Sequence, residues 1–138
     1  MELLVYKASA GSGKTFTLAV EYIKLLILNP RAYRQILAVT FTNKATAEMK
    51  ERILSQLYGI WKGDKDSDAY LKRIIVETGK PVEEVREAAK VALTNMLHDY
   101  SRFRVETIDS FFQSVLKNLA HELSLTANLK VDLNDKEV

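Results

Sequence analysis

The chain has 138 residues, 47% of them apolar and 28% charged, which is the balance of a soluble globular protein long enough for one domain, or part of one, with a real core. A net charge of +2 permits nucleic-acid binding without arguing for it, and the absence of cysteine excludes disulfides, thiolate zinc sites and cysteine nucleophiles. No basic, then apolar leader opens the chain and no apolar run approaches the ~20 residues of a membrane span, so a cytoplasmic protein with no membrane partner is expected.

Leu3-Leu-Val-Tyr6 reads as a buried strand, and Thr15 to Leu28 carries apolar residues at helical spacing. Between them lies Ala8-Ser9-Ala10-Gly11-Ser12-Gly13-Lys14-Thr15, which meets the pattern G-x-x-x-x-G-K-[ST] at every position except the first. A turn joining a strand to a helix N-terminus is where a polyphosphate belongs, because free backbone N–H groups and the positive end of the helix dipole point at the anion. Gly11 and Gly13 let the backbone approach the oxygens, Lys14 reaches the β and γ phosphates as a point charge, and the Thr15 hydroxyl completes the shell of a Mg²⁺ ion. ATP with Mg²⁺ is the expected cofactor, held by residues 8–15 with Phe16 alongside. The bland alternative, a glycine-containing turn with an incidental Lys-Thr, is disfavoured by the strand and helix on either side.

Phe16, Leu18, Ala19, Tyr22, Ile23, Leu26 and Ile27 give the first helix a broad apolar face, and Asn29-Pro30 ends it. Ile36-Leu-Ala-Val-Thr40 is a continuous apolar run suited to a strand covered on both faces. Phe41-Thr42-Asn43-Lys44 follows, and then a helix from Ala45 to Tyr58 with Ala45, Met49, Ile53 and Leu57 on one face. Strand, helix, strand, helix implies a parallel sheet and an α/β fold.

From Gly59 to Thr78 the pattern loosens: Gly63 to Asp68 reads as a solvated loop and Ala69 to Val76 as a short helix, together resembling an insertion. Pro81 opens a further helix that ends near Ser101, with Val85, Ala88, Ala89, Ala92, Met96, Leu97 and Tyr100 as its core stripe. Phe103 to Ile108 alternates like a strand, and Asp109-Ser110 starts another helix with Gln113 placed to close a capping box on Ser110. The tail from Ser124 to Val138 is mixed.

These segments contain three strand-to-helix junctions: the phosphate loop, Thr40 to Lys44, and Thr107 to Ser110. In open α/β sheets ligands gather at the carboxyl ends of strands, so the three are expected to share one edge. Thr40 to Lys44 sets one aromatic among hydrogen-bonding residues and a lysine. Phe41 offers a stacking face to single-stranded nucleic acid, while Thr42, Asn43, Lys44 and helix N–H groups can hold phosphates. A capped helix with Phe41 in the core explains the same residues equally well.

Three stretches taken together, Ala8 to Leu18, Ala38-Val-Thr-Phe-Thr-Asn-Lys-Ala-Thr-Ala-Glu-Met49 and Thr107-Ile-Asp-Ser-Phe-Phe-Gln113, resemble in sequence and order the start of a superfamily 1 DNA helicase of the UvrD/Rep family, nearest the exonuclease V (RecB-like) helicase–nuclease subunits. The similarity covers nearly the whole chain. It implies a RecA-like, three-layer P-loop NTPase fold with a mostly parallel sheet, here incomplete and carrying a helical insertion. It divides the chain into residues 1–58 (phosphate loop and first DNA motif), 59–101 (insertion) and 102–138 (third strand–helix unit and tail).

By that resemblance Thr40, Phe41, Thr42, Asn43 and Lys44 line a single-strand groove, Thr107 and Ser110 touch DNA, and Lys14 and Thr15 serve ATP hydrolysis. The resemblance also implies the remaining domains of a longer protein as partners, with other helicase–nuclease subunits. Asp109 stands where the family usually has His, and an anionic side chain cannot donate to a phosphate. No apolar strand ends in Asp-Glu, Leu129-Lys-Val-Asp132 being a poor imitation, and the later arginine motifs and second motor domain are absent. The chain reads as the N-terminal piece of an ATP-dependent DNA helicase/exonuclease subunit, inactive alone. The runner-up is a small P-loop phosphotransferase using Asp109, and a binding module that has lost catalysis stands third.

Overall fold

A computed structural model describes residues 2–5 and 13–137, with side chains over residues 14–125. The chain forms two units, Met1–Thr107 and Ile108–Val138. The first is α/β. Its small sheet holds β1 (Glu2–Val5), β2 (Ile36–Thr40) and β3 (Val105–Thr107) in that spatial order, every pair parallel.

Between the strands run α1 (Gly13–Leu28), α2 (Asn43–Lys62), α3 (Asp68–Thr78) and α4 (Val82–His98). All of β2 is buried, as its unbroken apolar sequence requires. Ile36 and Ala38 enter the main core, while Leu37 and Val39 are buried outside it, as alternation on a strand dictates.

The core is one cluster. From α1 it takes Leu18, Ala19, Tyr22, Ile23, Leu26 and Ile27, and from α2 Met49, Ile53, Leu57 and Ile60. Tyr70 and Ile74 of α3 join it, as do Val85, Ala89, Ala92, Leu93 and Met96 of α4. Residues 59–101, expected as an insertion, are therefore part of the domain's own packing. Leu97 and Tyr100, expected in the core stripe, are instead 58% and 47% exposed. The helix ends at His98 and the chain turns through a short 3₁₀ segment, Tyr100–Arg102, so the spacing that assigned them no longer applies. The Tyr33 hydroxyl just before β2 donates to Asp99 Oδ2 (3.0 Å) at the end of α4, fixing where the chain turns toward β3.

Other boundaries moved for local reasons. The second helix runs four residues beyond Tyr58, through Gly59, and stops at Gly63, whose φ of 73° is the left-handed cap conformation. Gly59 is a packing glycine: a Cβ there would collide with the Ser67 side chain. Asp64 Oδ1 accepts from the Asp66 N–H and closes the short turn that follows. The second unit is α5 (Ile108–Glu137), which begins ahead of Ser110, so the capping box expected there is not formed. Its tail contains neither Gly nor Pro to interrupt it, which is why the stretch expected to be mixed continues as helix.

Candidate nucleotide and nucleic-acid site

The strands place their carboxyl ends together. Val5 pairs with Val39, and Thr40 with Thr107, so each of the three strand-to-helix junctions leaves the sheet at the same edge. Residues Ala8, Ser9, Ala10, Gly11 and Ser12 of the expected phosphate loop lie outside the described residues. Gly13 opens α1; Lys14 is exposed there, and Thr15 is half-buried. Phe16 turns into the packing, its ring centroid 4.6 Å from that of Tyr70, whose hydroxyl accepts from Arg52 Nη1 at 3.1 Å. Phe16 thus serves the core rim, a role its place beside the loop did not announce.

The second junction is fully described. Thr42 caps α2: its backbone is extended (φ −130°, ψ 158°), and its Oγ1 accepts from the Ala45 N–H at 3.0 Å. The Thr42 carbonyl accepts from the Thr46 N–H (3.0 Å) and from Thr46 Oγ1 (3.2 Å). With the cap satisfied from behind, the amides of Asn43 and Lys44 belong to a first turn that the helix does not itself pair.

Phe41, Asn43 and Lys44 are all exposed, Phe41 to 45%. Of the two readings open for Phe41, the core one fails and the capped helix stands without it. Thr40 is a correction. Expected at the nucleic-acid surface, it is 2% exposed, with its hydroxyl 2.7 Å from Thr46 Oγ1 and 3.4 Å from both the Thr42 and Glu106 carbonyls. It ties β2 and β3 to the first turn of α2, and so positions the exposed residues without being one.

Thr46 and the Glu106 carbonyl were not singled out in the sequence, although Thr46 stands one helical turn after Thr42, where a hydroxyl can bond the capping carbonyl. At the third junction Thr107 is half-buried, while Ser110 and Asp109 are exposed in the first turn of α5. Thr107 closes the first unit and Ser110 lies in the second. Asp109 is an acid at a helix N-terminus, which is electrostatic stabilisation enough to explain it. No helix among the described residues is long and apolar enough to cross a membrane.

A parallel sheet that gathers strand-to-helix junctions at one edge, with a Gly-Lys-Thr sequence opening the first helix, defines an α/β domain with its ligand side at that edge. Residues 2–137 match the UvrD/REP helicase N-terminal domain, and the chain belongs to the UvrD/REP helicase family. It is similar to the RecBCD enzyme subunit RecB of Buchnera aphidicola, 34% identical over 122 residues that cover 80% of this chain and 10% of that protein. One of the two-part ATP-dependent helicase/nuclease proteins of Clostridium perfringens is 35% identical over 130 residues, 93% of this chain and 8% of the relative. RecB of Mycobacterium tuberculosis is 29% identical across 95% of this chain and 12% of its own length. The chain therefore spans about a tenth of the length of the curated relatives it matches. No solved structure matches it. Between the two enzyme classes that the residues alone left open, family membership favours the helicase.

Proposed function

We propose that this chain is the nucleotide-phosphate-binding and single-strand-contacting piece of an ATP-dependent helicase–nuclease subunit, built on a RecA-like P-loop fold. One observation carries the reading: Lys14 and Thr15 at the start of α1, and Phe41, Asn43 and Lys44 at the start of α2, follow neighbouring strands at one sheet edge. Adjacent strands lie about 4.8 Å apart, so a nucleotide at the first junction and a strand of nucleic acid at the second are close enough for one to sense the other.

The residues fit the ligands. Lys14 is exposed and supplies a point charge for the outer phosphates, while the Thr15 hydroxyl suits a Mg²⁺ ion that keeps most of its waters. Bound Mg²⁺·ATP supplies the energy of the cycle. The chain's own part is to grip the polyphosphate with Lys14, the Thr15 hydroxyl and the loop amides. Phe41 stacks on a base, and Asn43, Lys44 and the first-turn amides of α2 hold the phosphates beside it. Thr107 and Ser110 add hydroxyls at the third junction.

The acid that completes the metal shell and the cations that meet transition-state charge come from the remaining domains of the longer protein, with other helicase–nuclease subunits as further partners in a cytoplasmic DNA-repair assembly. The test is calorimetry of the Lys14→Ala variant with Mg²⁺ and an unhydrolysable ATP analogue. Loss of binding is expected; equal affinity in variant and parent would sink the assignment of the phosphate grip.

A further inference from the structure

One flank of α2 carries more than its N-terminus. At helical spacing from Asn43, the positions Lys50, Leu54, Tyr58 and Trp61 follow one another along the side that meets α4. At its far end Lys62 Nζ lies 4.2 Å from the centroid of the Trp61 ring, and Lys90 Nζ, from α4, lies 5.8 Å from the same centroid. Tyr58 stands edge-on to Trp61 at 5.8 Å and is 52% exposed. Arg86 holds Trp61 from behind, donating through Nε (3.2 Å) and Nη2 (3.1 Å) to its carbonyl. Nearer the sheet, Lys50 Nζ lies 5.3 Å from the Tyr100 ring.

Among the described residues none of Lys50, Lys62, Arg86 and Lys90 is paired with a carboxylate, whereas Lys24, Arg34, Arg73, Lys80, Arg102 and Arg104 each sit against one. A lysine stem laid over a ring for packing alone is ordinary. Two ammonium groups over one tryptophan, with no acid to neutralise them, is an arrangement that an arriving anion stabilises.

We infer that this α2–α4 seam is a second contact for single-stranded nucleic acid, continuing the path from Phe41 and Lys44 along the flank of α2. The inference rests on the proposed function of that first contact. Flat rings interleaved with unpaired cations match a strand that offers both phosphates and base faces, which an acidic protein surface does not. From Lys44 to Trp61 the helix rises about 26 Å at ~1.5 Å per residue, or roughly eight nucleotides at the ~3.4 Å rise of a stacked strand.

Trp61 is the only tryptophan in the chain, so its emission reports on the seam directly. The experiment titrates the chain with oligothymidylates of roughly five and roughly twenty nucleotides, for the parent and for the Lys62→Gln/Lys90→Gln variant, whose changed side chains are exposed. The long strand should change Trp61 emission and bind more tightly than the short one. The double variant should lose that gain with length, and its log–log salt slope should fall by about 1.4, two phosphate contacts at ~0.7 each for a single strand.

A parent-like length dependence and slope in the double variant would overturn the inference. So would an unchanged Trp61 emission with the long strand, or polyglutamate acting on it as strongly as oligothymidylate. Phe41→Ala/Lys44→Ala separates the two readings. If it weakens the short strand while the seam variant matches the parent, the first contact stands and the seam falls. If the seam variant alone weakens binding, the seam stands and the first contact falls; if neither strand binds the parent, both fall.

Discussion

The Thr40 and Thr46 hydroxyl oxygens lie 2.7 Å apart, one at the end of β2 and the other in the first turn of α2. That bond, with the Glu106 and Thr42 carbonyls around it, couples the sheet edge to the helix that presents Phe41 and Lys44. A hydrogen bond of this kind contributes about 1 kcal/mol net, and stranding one partner in a buried place costs more. A double-mutant cycle of Thr40→Val and Thr46→Val by urea denaturation should therefore give a coupling of about 1 kcal/mol. Strict additivity of the two changes would show that the hydroxyls do not act together.

Phe41 is exposed, and a surface truncation away from caps and cores usually moves stability by no more than ~0.5 kcal/mol. Base stacking on an aromatic is worth about 1–3 kcal/mol. Phe41→Ala should accordingly keep the parent's melting temperature and lose roughly 5- to 150-fold in affinity for single-stranded DNA, without sequence preference. Fluorescence anisotropy with mixed-sequence oligonucleotides reads the binding. A variant that unfolds early and still binds like the parent would return Phe41 to a packing role.

Gly59 sits inside α2, where alanine is intrinsically better by ~1 kcal/mol. The added methyl group would meet Ser67 Oγ, and overpacking of a closed contact costs about 1–3 kcal/mol. Gly59→Ala should be destabilising, and adding Ser67→Ala should recover part of the loss. If Gly59→Ala alone raises the denaturation midpoint, the helix tolerates the contact and propensity decides.

The same glycine shows where the sequence stops being legible. Strand and helix order, the buried run Ile36–Thr40 and the α1 face could be read because periodicity and apolar content are local properties, and packing agreed with them. Whether Gly59 ends a helix or fits against a neighbour depends on Ser67, which only the folded chain brings to it. Leu97 and Tyr100 fit the apolar stripe by spacing, yet α4 ends at His98 and carries them outward. At the site, Phe41 was undecidable because a capped helix start can turn its preceding aromatic either way. Thr40 was misplaced because strand alternation points it inward, to partners on two other elements.

Tyr22 is buried at the centre of α1 with its ring edge-on to Phe103 at 5.6 Å, and its hydroxyl has no hydrogen-bond partner among the described residues. Burial pushes the phenol's pKa well up, so it stays neutral at any working pH. An unsatisfied buried hydroxyl costs about 1–3 kcal/mol, whereas its removal leaves the ring packing in place. Tyr22→Phe should match or exceed the parent's stability by up to ~1 kcal/mol. Destabilisation beyond ~1 kcal/mol in guanidinium melts would mean that the hydroxyl is bonded after all.

The last expectation concerns turnover. The phosphate loop grips a ground-state polyphosphate, but hydrolysis needs more: an acid to hold Mg²⁺, a residue to place water, and cations to meet charge on the γ-phosphoryl group. In this sequence no apolar strand ends in Asp-Glu. Asp109 opens α5, an acid whose place at a helix N-terminus is explained by the dipole. In related phosphate-loop enzymes a cationic finger alone contributes on the order of 10³–10⁵ in rate. The 138-residue chain should therefore bind Mg²⁺·ATP and release phosphate at most slowly, with or without single-stranded DNA. It should not unwind a duplex, because unwinding requires domains that open and close around the nucleotide. Phosphate release is measured with Lys14→Ala as the contamination control. Robust turnover that disappears in that variant would place a hydrolytic acid within these residues, and Asp109→Asn would then be the next substitution to make.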